Sequence, residues 1–531
     1  MQLHFIRLVL TWTLISCWAT DALAFLSALV RQAAPHRTRR RSVVRAASKA
    51  HGEHKSLKER EGLKLKPTVW TEFQGLARET QAVNLGQGFP NWQPPSFVLA
   101  AAHGALTGPH HQYTRTAGHP PLVELLAEKY SRHFDRDIDA DTEVAVTIGA
   151  SQALYVAMQS LLSAGDEVIL MEPFFNLYDG QVRLAGGVPR YVPMDWREGS
   201  GGQRGSWRVD FDVLRQQINP LTRLIILNTP QNPSGKVWER SELEELASIV
   251  REHPNLMVIS DEVYKFMVFD EPSQTAAASP LPAASAGEAD SDSSDDGEGE
   301  YRGKPAGHIH FASLPDMWER TLTVSSAGKT FSITGWQVGW LVGPAQWLTR
   351  VQLRLPFMQF CAPTPLQQAL CNILTEASEP YREFSTYYDW LRHEYQDKQG
   401  KLCAALERAG IEARPGNGGF FVMAEIHNIA VPDHYLREGT PARPEMTRDW
   451  AFCRWLAKEI GVVAIPASAF YSMENRHRGE NLVRLAFCKT DDVLDEAARR
   501  LERVAEFRRL DSGASSAHTL TVTGALRGEV T

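Results

Sequence analysis

A chain of 531 residues, 43% hydrophobic and 9% aromatic, has room for two or more domains and the composition of a soluble globular enzyme. Its net charge of -7 carries no basic surplus, which excludes the electrostatic signature of a nucleic-acid-binding protein. That charge is unevenly spread, and the two ends and one internal stretch differ from the rest.

Residues 1–49 carry seven arginines and one lysine against a single acid, Asp21, a local charge of +7 that leaves -14 for the remainder. Arg7 precedes an apolar run from Leu8 to Ala19, then Ala22-Leu23-Ala24 and Phe25. This is a signal-peptide layout, with an apolar run too short for a comfortable membrane span. From Ala22 to Gly52 there is no acid, while Arg31, Arg37, Arg39, Arg40, Arg41 and Arg45 accumulate, as in a transit peptide. Residues 1–55 are therefore expected to be a disordered bipartite targeting presequence. The pairing resembles the presequences of algae with secondary plastids and implies a plastid address, with the mitochondrion as alternative. Once Cys17 is set aside with the leader, Cys361, Cys371, Cys403, Cys453 and Cys488 remain, an odd number without metal-ligand spacing, and they read as core or pocket residues.

Along the chain, apolar strands alternate with amphipathic helices. Val144–Ile148 reads as a strand that runs through Gly149 into a helix with Leu154, Ala157, Met158, Leu161 and Leu162 on one face. Glu167–Leu170, Leu224–Leu227 and Met257–Ile259 are runs of buried-strand type, and Ser241 with Glu244 reads as a capping box opening the helix between the last two. Residues 276–307 are Ala, Pro, Ser and Gly with an acidic cluster, and are expected to form a disordered surface insertion; residues 511–531 read as a disordered tail. Thr321–Val324 and Val338–Val342 are further strands. This pattern predicts an α/β fold, a mostly parallel sheet covered by helices over 101–356, where ligands sit at the carboxyl ends of the strands. From about Ala362 the pattern changes to long helices, Tyr387–Arg408 the clearest, interleaved with Phe420–Met423 and Leu482–Phe487. A smaller α+β domain is expected over 357–508. Residues 67–100 would form an N-terminal arm and part of that domain, with Trp70 and Phe73 as the apolar face.

Each strand end supplies one chemical group. Gly149-Ala150-Ser151 opens a helix whose free N–H groups suit a phosphate. Asn228 and Asn232 sit in the turn after Leu227, which turn propensity alone also explains. Asp261, with Tyr264 just beyond, ends a buried strand, where a carboxylate is costly unless paired, or else caps a helix. Lys329 lies in Ser325-Ser326-Ala327-Gly328-Lys329-Thr330, small residues on both sides of a single amine that could bond covalently to an aldehyde cofactor. A phosphate cradle, a strand-end aspartate, a nearby tyrosine and a shielded lysine together match the needs of pyridoxal 5'-phosphate (PLP).

The chain resembles the class I, fold-type I PLP-dependent aminotransferases, and most closely the kynurenine aminotransferase, glutamine transaminase K and cysteine-S-conjugate β-lyase group. The resemblance rests on Val83–Pro90, Gln112-Tyr113-Thr114, Glu172–Phe175, Asn228–Pro233, Asp261–Tyr264, Ser313–Pro315, Met317–Thr321, Ser326–Trp336, Val463–Pro466 and Val483-Arg484. It implies that Lys329 forms the Schiff base with PLP and moves the substrate proton. Asp261 would keep the ring nitrogen protonated, with Asn228 behind it, and Tyr264 and Asn232 would hold the 3'-oxygen. Phe175 would stack on the ring. Ala150, Ser151, Ser326 and Tyr113 of a neighbouring subunit would bind phosphate, so a homodimer is implied. Arg484, with Gly88 and Asn232, would grip the substrate carboxylate, and Trp70 and Phe360 would line the side-chain pocket. On residues alone, Arg484 reads as an edge-strand surface arginine, and Trp70 and Phe360 as core. Gln337 stands where this family usually has a phosphate-binding lysine or arginine. The implied activity is ping-pong transamination of kynurenine, glutamine, methionine or an aromatic amino acid with a 2-oxo acid. β-Elimination from cysteine conjugates, and a non-catalytic regulatory role, are the alternatives.

Overall fold

The computed structural model of the chain describes residues 67–199, 205–270 and 305–509. The first helix, Val69–Thr80, is capped by Thr68, whose hydroxyl accepts from the Thr71 N–H, and it buries Phe73 and Leu76. It leads into β1 (Val83–Asn84) and the helices Ser96–Thr107 and Pro120–Phe134. The alternation then begins: β2 (Val144–Ile148), helix Gly149–Leu161, β3 (Glu167–Glu172), helix Leu177–Leu184, β4 (Val188–Arg197) and β5 (Ser206–Val209). It continues with β6 (Thr222–Asn228), helix Arg240–Glu252, β7 (Met257–Asp261), β8 (Thr321–Ser326) and β9 (Val338–Val342).

These strands form one sheet in the order β2-β9-β8-β7-β6-β3-β4-β5. The contacts of β3 with β4 and β6, of β6 with β7 and of β7 with β8 are parallel, whereas β9 runs antiparallel to both neighbours and β5 antiparallel to β4. The apolar runs are continuous because both faces of the sheet are covered. Val168, Leu170, Ile226, Ile259 and Val324 pack into one core, while Ile169, Met171, Ile225, Leu227 and Val258 pack into the other. Because β2, β3, β6, β7 and β8 point the same way, their carboxyl ends share one edge of the sheet. Register places Asn228 beside Asp261 and Asp261 beside Val324.

Beyond the helices Thr364–Glu376 and Tyr387–Arg408 lies a second sheet. It is built from β10 (Glu412–Pro415), β11 (Phe421–Glu425), β13 (Ile465–Pro466) and β14 (Leu482–Ala486), antiparallel in the order β10-β11-β14-β13. The short β12 (Val462–Val463) pairs in parallel with β1. Phe73 packs on Trp450 with ring centroids 5.6 Å apart, and Arg454 pairs with Glu72 at 2.9 Å. The segment after Pro67 is thereby joined to the small sheet and its helices, and the described residues all fall within one compact unit.

Two expectations need correction. The helix Arg240–Glu252 is opened by Glu239 and Glu242, not by Ser241 and Glu244: the Glu242 carboxylate accepts the Glu239 N–H at 3.1 Å. Two residues of register were lost because a glutamate is an uncommon N-cap. Arg484 is not on an edge: β14 lies between β11 and β13, and Arg484 is 1% exposed. The presequence, the tail and residues 276–304 of the acidic stretch lie outside the described residues. Its last three residues belong to the fold, with Pro305 buried and Gly307 turning the chain at a φ of 71° into His308.

Candidate active site

At the shared strand edge lies a cavity of about 430 Å³, lined by Trp70, Gly88, Ala150, Ser151, Phe175, Asn228, Asn232, Asp261, Tyr264, Ser326, Lys329 and Arg484. Sequence positions from 70 to 484 thus converge. Tyr113 and Phe360 do not join them. They touch each other with ring centroids 4.6 Å apart and are 80% and 57% exposed. Phe360 therefore does not line this chain's own cavity.

Asp261 is buried at the end of β7, and its Oδ2 accepts the Tyr178 hydroxyl at 2.7 Å. Burial pushes its carboxyl up to about 6, against the lowering by the Tyr178 and Val263 hydrogen bonds. Asn228 donates to the Asp261 carbonyl at 2.9 Å and accepts the Asn232 N–H at 2.8 Å, so one amide fixes both the strand end and the turn after it. Tyr178 was not expected from the sequence. The available signal was its spacing of three from Phe175, which lies just before the helix Leu177–Leu184 and has its ring 5.8 Å from that of Tyr178.

Lys329 sits on the short helical turn Ala327–Thr330 that follows β8. Its Nζ donates to the Gly88 carbonyl at 2.9 Å and lies 5.5 Å from the Phe420 ring centre. Burial pushes the amine down to about 8, which gives a neutral nucleophilic fraction near physiological pH. Gly88 cannot carry a side chain here, because a Cβ would lie 2.4 Å from Phe421 Cζ. Lys489 secures that loop by donating to the carbonyls of Gln87 at 3.0 Å and Phe89 at 2.8 Å.

Arg484 projects from β14 with Nη1 on Asn232 Oδ1 at 2.9 Å and Nη2 on the Gly86 carbonyl at 2.6 Å, while its buried Nε has no partner among the described residues. The guanidinium lies 4.2 Å from the ring centre of Phe421, 4.8 Å from Phe470 and 5.2 Å from Trp70. Burial lowers it to about 9, so it stays charged at neutral pH.

Across the cavity, the helix Gly149–Leu161 begins without a side-chain cap, leaving its first N–H groups turned to the cavity edge. Gly149 adopts a φ of 69° and Gly339 has no room for a Cβ, which would meet the Gly149 carbonyl carbon at 2.5 Å. Gln337 folds over this helix start, donating to the Thr334 carbonyl at 2.5 Å. None of Asp261, Lys329 and Arg484 forms an ion pair with another described residue. A ligand with an anionic end for the helix, a protonated ring nitrogen for Asp261 and an aldehyde for Lys329 fits these residues, and that ligand is PLP.

Comparison with known proteins agrees with this geometry. The model of the family described as aminotransferase class I and II matches residues 80–501. The kynurenine–oxoglutarate transaminase of Dictyostelium discoideum is 39% identical over 441 residues, covering 81% of this chain and 92% of that protein. The solved structure of Bna3p from Saccharomyces cerevisiae superposes with a TM-score of 0.72 at 31% identity, covering 84% of this chain and 97% of that one. YbdL from Escherichia coli, for which a methionine aminotransferase function has been identified, gives 0.67 at 31% identity, covering 83% and 98%. The chain belongs to the class I and II aminotransferases and is a PLP-dependent enzyme of that family.

Proposed function

We propose that the chain transfers the amino group of an aromatic or sulfur-containing L-amino acid, with kynurenine, methionine, glutamine and phenylalanine as candidates, to a small 2-oxo acid. The observation that carries this reading is the Arg484 guanidinium, with no carboxylate partner among the described residues, walled by Trp70, Phe421 and Phe470 and sharing one cavity with Lys329. A planar fork of donors suits an α-carboxylate, and the aromatic walls suit flat or thioether side chains. Relatives named as kynurenine–oxoglutarate transaminases and a neighbour with a methionine aminotransferase function support the same substrate class.

Bound PLP supplies an aldehyde that condenses with amines and a ring that accepts electrons. Asp261, oriented by Tyr178, holds a proton at the ring nitrogen. Tyr264 and Asn232 would hold the 3'-oxygen, Phe175 would lie against the ring, and Ser326 with the Ala150 and Ser151 N–H groups would hold the phosphate, all of them lining the one cavity. Lys329, pushed down to about 8 by burial, would be the base that moves the proton between the substrate Cα and the cofactor. The exposed pair Tyr113 and Phe360 reads as the contribution of one subunit to the other's cavity. Phe360 is held at a φ of 61°, and Phe357 beside it is 91% exposed, an apolar group suited to a second copy of this chain. A monomeric mass in sedimentation at micromolar protein would overturn this. Residues 1–55 are read as a plastid address, which a fluorescent fusion of that segment remaining cytosolic in an algal cell would overturn.

Absorbance of the PLP-loaded enzyme, followed as single amino acids are added without keto acid, is expected to shift to the pyridoxamine form with the preferred substrates. Arg484→Lys should raise the concentration needed by about 10- to 100-fold, the worth of one charge-assisted hydrogen bond, while the resting spectrum is kept. An amino-acid-independent spectrum would overturn transamination, and pyruvate release without keto acid would favour β-elimination. Gln337→Lys restores a cation beside the helix start and should tighten PLP binding by about one to two orders of magnitude in equilibrium titration of the apoenzyme; unchanged affinity would show that Gln337 costs nothing. In the apoenzyme the raised Asp261 pKa means that its stabilising contribution is complete below the unfolded value of 3.8 and lost as pH rises through about 6. Asp261→Asn should therefore stabilise the apoenzyme near pH 7 by roughly 3 kcal/mol, a gain that vanishes below about pH 4. Equilibrium urea unfolding of both apoproteins across that range checks the sign, and equal stabilities throughout would contradict it.

A further inference from the structure

We infer that Glu262, His308 and His310 form a binding site for a divalent transition-metal ion of the zinc class, separate from the catalytic cavity. The three side chains are fully buried, and their ligand atoms all lie within 4.8 Å of one another. None of them lines the catalytic cavity.

The backbone explains the convergence. His308 and His310 are two apart on an extended segment, so both imidazoles face the same way. Glu262 follows the last residue of β7 and points into the same space, where its second oxygen accepts the Ser260 hydroxyl at 2.8 Å. The donor set is two nitrogens and one carboxylate oxygen, which suits zinc and excludes the all-oxygen preference of magnesium and calcium.

The distances point the same way. His308 Nε2 stands 3.2 Å from Glu262 Oε2 but makes no hydrogen bond, an orphaned buried nitrogen facing a carboxylate oxygen. Ligands of a tetrahedral zinc at its usual bond lengths lie about 3.3 Å apart, so this edge already has the spacing an ion needs. His310 Nδ1 is bonded to the same oxygen at 2.5 Å, and that contact opens by roughly 0.8 Å when an ion replaces the proton. The His133 ring stacks on His310 at 5.2 Å and the Phe134 ring packs edge-on at 5.1 Å, so rings border the triad on two sides. An ion here would fasten the chain re-entering at Pro305 to the end of β7, one residue from Asp261.

The test uses the full-length PLP-loaded protein, stripped with a chelator and titrated with Co²⁺ as a spectroscopic substitute for Zn²⁺. One equivalent should bind with the visible absorption of a four-coordinate nitrogen–oxygen site, be displaced by Zn²⁺ but not by Mg²⁺ or Ca²⁺, and raise Tm. His310→Ser and His308→Ala should each abolish that absorption, whereas Lys329→Ala, which alters only the catalytic cavity, should keep it. Failure of the wild-type protein to bind stoichiometrically, or persistence of the spectrum in both histidine variants, overturns the proposal. Should the variants not fold, X-ray absorption of the zinc-loaded wild-type protein decides: two imidazoles support the site, and sulfur or phosphate ligands overturn it.

Discussion

Three buried ionisable groups that form no ion pair among the described residues shape this protein. Asp261, Lys329 and Arg484 are each desolvated by the junction of the two sheets, and none is neutralised by another described side chain. Burying an ionisable group without a partner is among the most costly arrangements a fold can contain. It persists here because elements remote in sequence hold each group in place. β7 and Tyr178 hold Asp261, the turn after β8 and the Gly88 carbonyl hold Lys329, and β14 with Asn232 and Gly86 holds Arg484. The cofactor and the amino-acid substrate carry the complementary groups. Under the proposed reading, binding them would offset the cost of burying these groups.

The two sheets divide the work. The large sheet presents its groups at the ends of parallel strands, where register alone places Asn228 beside Asp261. The small sheet contributes Arg484 and the phenylalanine wall, and the helix Val69–Thr80 brings Trp70 over them through contacts such as Phe73 with Trp450. The placing of Trp70 and Arg484 in the cavity therefore depends on how the N-terminal helix and the small sheet seat on the large one. Gly88 is one close point of that seating, since its lack of a side chain lets the loop pass against Phe421.

Much of this was legible in the sequence. Buried parallel strands announce themselves as unbroken apolar runs, and the helix Tyr387–Arg408 has the bounds its periodicity predicts. Lys329 and Asp261 stood out locally because each breaks the rule for its setting: an amine among small residues, and a carboxylate ending an apolar strand. What failed were features fixed by distant neighbours. Nothing local tells a central strand from an edge strand, so Arg484 read as a surface residue until β11 and β13 flanked it. Tyr178 meets Asp261 across 83 residues of sequence. The pairing of Tyr113 with Phe360 on the surface depends likewise on a contact between distant segments.

Asp261, the carboxylate at the end of β7, is proposed to hold a proton on the ring nitrogen of bound PLP. Nitrogen NMR of the enzyme loaded with PLP labelled at the pyridine nitrogen tests this most directly. A ring nitrogen that stays protonated from pH 6 to 9 in the wild-type enzyme, and loses its proton in Asp261→Asn, is the result this account predicts. A neutral pyridine nitrogen in the wild-type enzyme at pH 7 would contradict it.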